Sequence, residues 1–327
     1  MLALIQYTLL YAAVLLLVAL GGCFSEHSGV INIGLEGIMV MGALGGALVM
    51  RYLPYVHAEA TVFGQIGMFS GVLVAAVVFG SIYSLLLAVA CINLKADQTI
   101  VGTAMNLLGT ALSTVIVKAL NVAASPDDKS SKIIYADQKK AFVSTIGGFE
   151  LHWFMVVTVI LLGVSVFLLY KTRFGLRLRA CGEHPQAADS VGISVYKMRY
   201  AGVILSGVLG GLGGITYITC GVSEWQFENG VAGFGFLALA VMIFGAWDPM
   251  KIAGSALIFG FFRALGRTYN GIHFLVNLQD KLEIQGNVAS AIYNMLPYIV
   301  CLIVLAFTSK NSRAPKAEGI PYDKGQR

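Results

Sequence analysis

One carboxylate, Glu36, stands in "SGVINIGLEGIMVMGALGG" (Ser28–Gly46), a stretch otherwise built of apolar and small residues with a single amide, Asn32. A carboxylate in apolar surroundings can carry a proton, line a solute path or hold backbone donors. If a helix runs from Val30, Glu36 lies roughly 9 Å along it at 1.5 Å per residue, too deep to reach water by snorkelling. It must then face protein or a wet cavity, with Asn32 one turn earlier on the same face. Gly34 and Gly37 flank it, so the helix can open locally and offer backbone N–H groups as partners. Three roles follow: a structural pin between spans, a lining group of a translocation path, or a direct solute contact. Glu36→Leu damages all three. Glu36→Gln separates them, because a pin is expected to tolerate the amide whereas a path that needs the anion is not.

Other chemistry fails on spacing. His27, His57, His152, His184 and His273 show no ligand spacing and there is no H-E-x-x-H, so no metal site follows. The five cysteines are scattered without C-x-x-C and read as packing residues. No Lys follows a Gly, so the chain lacks the G-K of a phosphate-binding P-loop. "GFGFLA" (Gly233–Ala238) matches a dinucleotide pattern but lies inside an apolar run, where it serves helix packing. G-x-S-x-G is absent, and "LGGC" (Leu20–Cys23) is no lipidation site because the first basic residue is Arg51. The chain reads as a protein that is not itself an enzyme.

The elements that position Glu36 follow from composition. Hydrophobic residues make up 57% and charged residues 12% of the 327, too little charge to cover a water-soluble surface. Apolar runs of membrane-spanning length fall at about 4–22, 30–50, 68–91, 99–120, 151–170, 200–221, 231–248, 251–268 and 288–308. Nine spans are expected, and they should be helices, since no water in the bilayer satisfies an open backbone. The fold class is all-α: a polytopic transmembrane helical bundle over residues 1–308, followed by a basic tail, 309–327.

Charge sets the orientation. The connection 171–199 holds six Lys and Arg and the tail after 308 holds five; with Lys95 and Lys251 they make 13 of the 22. These lie on the cytoplasmic side if the N-terminus is outside, as the positive-inside rule favours. Residues 121–150, with "SPDDKSSK", then form a polar and mobile outer loop.

Glycine is patterned. Gly42 with Gly46, Gly207 with Gly211 and Gly210 with Gly214 are each four apart, which lets helix backbones approach closely. "GVINIGL" from Gly29 resembles "GVAGFGF" from Gly230, and "VVFGSIYSL" (Val77–Leu85) resembles "LIFGFFRAL" (Leu257–Leu265). Both pairs are five spans apart, so the matching segments run in opposite directions, the mark of an inverted repeat with a path at its interface. In the 171–199 connection, Pro185 suits the first position of a short helix that continues to Val191, and Gly192 suits its stop. Two turns are marginal alone and must dock on something.

These residues carry a resemblance. "YKTRFGLRLRACGEHPQAADSVGISVYKMRYAG" resembles the coupling loop of permease subunits of ATP-binding-cassette importers, in the family that serves branched-chain amino acids, simple sugars and nucleosides. "SGVINIGLEGIMVMGA", "ADQTIVGTAMNLLGTAL" and "GFGFLALAVMIFGAWDPMKIAGSALIFGF" agree with it in order, so the resemblance is nearly chain-long. Where the amino acid branch has Leu-Ala-Leu-Gly and the sugar branch Ile-Asp-Leu-Ser, this chain has Ile33-Gly34-Leu35-Glu36-Gly37, which resembles the nucleoside branch most closely. The polar outer loop and a missing or reduced first span depart from the family.

The resemblance implies a multi-pass subunit of the bacterial plasma (inner) membrane that forms the path for a small polar solute, nucleosides foremost. It implies three partners: a second, non-identical permease, a cytoplasmic ATPase that binds ATP and Mg in trans, and an extracytoplasmic substrate-binding protein. No cofactor is expected in this chain. Asn32, Glu36 and Asn106 are then the candidate path residues. Gly182, Glu183, Ala187, Ala188 and Gly192 are the candidate surface docking into the ATPase, and Ala188→Trp is expected to uncouple transport without harming the fold. The competing reading is a secondary transporter driven by an ion gradient, with Glu36 as proton carrier.

Overall fold

The computed structural model describes residues 2–56, 61–147, 149–220, 222–272, 276, 281, 286–308 and 314–325. His57, His273, Lys310, Arg313 and Arg327 lie outside the described residues. Each of the nine apolar runs coincides with a helix: α1 (Leu2–His27), α2 (Leu35–Tyr52), α3 (Val62–Ala88), α4 (Gln98–Ala124), α5 (Trp153–Lys171), α8 (Val195–Thr219), α9 (Phe234–Phe244), α10 (Pro249–Thr268) and α11 (Gly286–Thr308). Among the described residues seven segments are long and apolar enough to cross a membrane, α10 and α11 not among them. Two short helices, α6 (Arg173–Glu183) and α7 (Pro185–Ser190), lie between α5 and α8.

The helix starts are written in the sequence. Asp97 caps α4 by accepting from the Ile100 N–H at 2.9 Å, and Thr172 caps α6 through Gly175. Asp248 accepts from the N–H groups of Met250 and Lys251 ahead of α10, with Pro249 in the first turn. Each cap satisfies donors that a helix start leaves open.

α1 and α8 form the centre. From Leu10 to Glu26 every residue of α1 is buried, as is every residue of α8 from Leu209 to Thr219. Helices apolar on all sides have to be surrounded by others. The glycines make this possible: a Cβ on Gly42 would lie 2.2 Å from the Gly211 Cα, and one on Gly214 would lie 1.9 Å from the Met39 carbonyl oxygen. Both pairs bring α2 against α8 at backbone contact.

The 121–150 connection differs from the mobile loop expected. α4 continues to Ala124, and two antiparallel hairpin-like pairs follow: β1 (Lys132–Ile134) against β4 (Glu224–Gln226), and β2 (Val143–Ile146) against β3 (Phe149–His152). A few apolar residues among the charged ones anchor it. Tyr135 and Phe142 are fully buried, the Tyr135 hydroxyl donating to the Ile218 carbonyl at 2.6 Å and Phe142 packing against Phe69 and Phe154. The polar average of the segment conceals these anchors.

At the opposite end, residues 314–325 fold back onto the bundle. The Ala317 N–H donates to the Gly182 carbonyl at 2.8 Å, and fully buried Arg199 donates to the Ile320 carbonyl at 3.0 Å.

Candidate functional site

Two interrupted spans meet inside the bundle. The first break is Ser28–Gly34, which is not helical, so α2 begins at Leu35 rather than near Val30. Unwinding frees backbone groups that need partners. Polar side chains of α4 supply them: Gln98 accepts from the Ile31 N–H at 2.6 Å, and Asn106 donates to the Ile33 carbonyl at 2.9 Å while accepting from the Gly37 N–H at 2.8 Å. Asn106 therefore bridges the last extended residues and the first turn of α2. Gly34 and Gly37 let α4 press in, since a Cβ on Gly37 would lie 2.5 Å from the Met105 carbonyl oxygen.

The second break precedes α9. Gly230, Ala232 and Gly233 all have positive φ (55, 53 and 78°), which reverses the chain before the helix starts at Phe234. α9 is 11 residues long, roughly 16 Å, about half of a ~30 Å hydrocarbon core. Its N-terminus thus lies deep in the bundle, and Glu36 caps it. One carboxylate oxygen accepts from the Gly233 N–H at 2.8 Å and the other from the Gly235 N–H at 2.7 Å. An anion at a helix N-terminus satisfies open donors and complements the helix dipole. Gly235 has to be glycine, because its Cβ would fall 2.5 Å from the Glu36 backbone nitrogen.

This arrangement answers the Glu36 question and corrects two expectations. Asn32 and Glu36 do not share a helical face: Asn32 lies in the extended break and donates to the Ser206 hydroxyl at 2.8 Å, toward α8, while Glu36 points to α9. The backbone donors that Glu36 holds belong to another span, not to a local opening of its own. Both carboxylate oxygens are engaged, which leaves Glu36 poorly suited to carry a proton across the bilayer. Burial in this cap is the role of a pin, and the geometry changes what Glu36→Gln should do, because an amide offers one acceptor where two donors converge.

The two breaks are the segments whose sequences match, "GVINIGL" and "GVAGFGF". Each is an extended stretch followed by a helix, and the cap of each comes from another helix, Asn106 for α2 and Glu36 for α9. Gln98 and the Gly233–Gly235 backbone escaped the sequence reading. The signal that could have found the latter was the repeat itself, since a carboxylate near one break calls for donors near its counterpart.

The short helix expected in the 171–199 connection is α7, with Pro185 in its first turn and Gly192 at φ 83° beyond its end. Its surface is narrower than expected. Glu183, Ala187 and Gly192 are exposed, but Ala188 is buried with Cys181, Val195 and Tyr322, and Gly182 is buried where a Cβ would lie 2.4 Å from the His27 carbonyl oxygen. Neither Gly182 nor Ala188 presents a side to a partner, and Trp at 188 would break this packing. Val191, 74% exposed, is the largest apolar residue offered beside them.

A membrane bundle with two opposed, interrupted spans in matching halves of the sequence defines a multi-pass transport protein. Residues 4–305 match the family described as branched-chain amino acid transport system / permease component, and the chain belongs to that family. Over 98% of its length it is 38% identical to the guanosine ABC transporter permease protein NupQ of Bacillus subtilis, covering 96% of that protein. It is 36% identical to the nucleoside ABC transporter permease protein NupC of Lactococcus lactis over 97% of this chain and 96% of that one. A weaker likeness, 24% over 75% of this chain and 68% of that one, joins it to the guanosine ABC transporter permease protein NupP of Bacillus subtilis.

Proposed function

We propose that the chain is the membrane-spanning permease subunit of an ATP-driven importer of nucleosides. The observation that carries this reading is end-to-end similarity to NupQ and NupC, two permeases named for guanosine and nucleoside transport, across both breaks and the α6–α7 connection. ATP and Mg then belong to a separate cytoplasmic ATPase, and an extracytoplasmic binding protein delivers the nucleoside.

A second, non-identical permease completes the membrane part. The likeness to NupP supports this, since NupQ and NupP are both named guanosine permeases of one organism and this chain stands much closer to NupQ. The N-terminus lies outside and the basic 314–325 segment inside, as the distribution of Lys and Arg favours. Closure of the ATPase acts on Glu183, Ala187, Val191 and Gly192. From there motion reaches the first break, because α6 and the break share the 314–325 segment: Ala317 binds Gly182, and Arg199, which binds Ile320, lies against Gly29. Asn106 and Glu36 hold the breaks that must change between outward and inward access.

Uptake by the complete complex in proteoliposomes tests the reading. ATP-dependent accumulation of a labelled nucleoside that is insensitive to a protonophore is the expected result. Uptake driven by a pH gradient without ATP would overturn it in favour of a secondary transporter.

A further inference from the structure

We infer that nucleoside passes along one polar stripe of α4, past Thr103, Thr110 and Thr114, against the re-entrant segment that leads into α9. The inference rests on the nucleoside reading above and adds the residues and the chemistry of selection.

α4 is two-sided. At about 100° per residue, Thr103, Thr110 and Thr114 fall within an arc of about 40°, whereas Leu108, Leu112 and Val115 lie on a separate apolar arc. Both arcs reach the surface of this chain: Thr103 is exposed and Thr110 and Thr114 half-buried, while Leu108 is 47% and Val115 64% exposed. A helix facing only lipid has no reason to segregate its hydroxyls on one side. The stripe also has a definite neighbour. A Cβ on Gly230 would lie 3.4 Å from the Thr110 hydroxyl oxygen, so the break before α9 runs beside it, and Lys118 and Glu228 pair across the same seam nearer the outer face.

The chemistry fits a neutral molecule with a flat base and several hydroxyls. The Thr103 hydroxyl donates to the Thr99 carbonyl at 2.8 Å and Thr110 to Asn106 at 3.3 Å, so their oxygens remain as acceptors for a ribose O–H or a base N–H. Asn229 is exposed on the break and can donate and accept. Phe236, 49% exposed, and Tyr298 of α11, 42% exposed with its hydroxyl 3.4 Å from a Cβ on Gly233, offer faces on which a base can stack. Anions are disfavoured by the same geometry. A helix N-terminus is the natural receptor for phosphate, but the α9 start is filled by Glu36 and the first turn of α2 by Asn106. The stripe therefore passes nucleosides and rejects their phosphate esters.

Threonines that bond their own helix carbonyls can also sit quietly in lipid, so the test must read water and solute at these positions. With the five native cysteines replaced by alanine, single cysteines at Thr103, Thr110 and Thr114, and at Leu108 and Val115, are exposed in the reconstituted complex to a charged, water-soluble thiol reagent. The threonine positions should react and be protected by transported nucleoside but not by its monophosphate, and Leu108 and Val115 should stay unreacted. Thr110→Val should raise the apparent KM for uptake about 3- to 10-fold, the loss of one neutral hydrogen bond, with Thr110→Ser close to wild type. Should the wild-type complex move a different solute and that solute protect the threonines, the nucleoside reading fails and the stripe stands. Threonine positions that do not react, or react without protection by any transported solute, would overturn the stripe.

Discussion

Replacing Glu36 gives the sharpest test of the paired-break geometry. Its two oxygens accept from Gly233 and Gly235 at 2.8 and 2.7 Å, so the carboxylate is a two-pronged acceptor with no donor of its own. Glutamine keeps one acceptor and turns an NH2 group toward the other backbone N–H, a donor facing a donor. Losing one charge-assisted hydrogen bond costs about 1.5–3 kcal/mol. Removing the negative charge from the helix start adds about 0.3–1 kcal/mol. The amide should thus destabilise by roughly 2–4 kcal/mol. Leucine leaves both donors bare in an apolar interior at about 1–3 kcal/mol each beyond the bonds lost, and should fare worse. Aspartate, one methylene shorter, cannot reach both N–H groups and should rank beside glutamine. Thermal unfolding of the detergent-solubilised protein, followed by monodispersity on size exclusion, reads the order wild type above Gln and Asp above Leu. A Glu36→Gln protein as stable as wild type would refute the two-donor cap, and loss of uptake at unchanged stability would move Glu36 from pin to path.

Three further outcomes follow from other contacts. Gly42→Val should prevent α2 from meeting Gly211 on α8 and abolish a folded product in the membrane, whereas Gly67→Ala, with nothing within 4 Å of its Cβ, should leave yield and midpoint unchanged or slightly higher. Ala187→Trp should preserve the fold while lowering transport-linked ATP hydrolysis, and Ala188→Trp should lower stability itself; equal stability of the two, measured by thermal melting, would contradict the burial of Ala188. Glu318, in the docked 314–325 segment, has its carboxyl raised to about 7, chiefly by burial. A buried acid with a raised pKa favours the docked state fully below its ordinary value near 4.5 and loses that contribution as pH climbs to about 7. Protease cleavage of the segment should accordingly be slower at pH 5 than at pH 8, and Glu318→Gln should flatten the difference.

The sequence by itself determined the solvent, the helices and where they begin. Scarcity of charge and nine long apolar runs leave a lipid-embedded helical bundle as the only way to satisfy the backbone, and caps such as Asp97, Asp248 and Thr172 act within three residues of themselves. The glycine spacings announced close helix contacts, and Pro185 with Gly192 marked α7, because those signals are also local. Tertiary structure alone decided who meets whom. Glu36 finds Gly233 and Gly235 some 197 and 199 positions away, and no local pattern records such a partner. The start of α2 at Leu35 was likewise invisible, since Val30–Gly34 is apolar enough to continue a helix and unwinds only because Gln98 and Asn106 on α4 take its freed backbone groups. Ala188 and Ala187 look alike in the sequence. One is buried and the other exposed because Tyr322, more than 130 residues further on, folds back to cover the first.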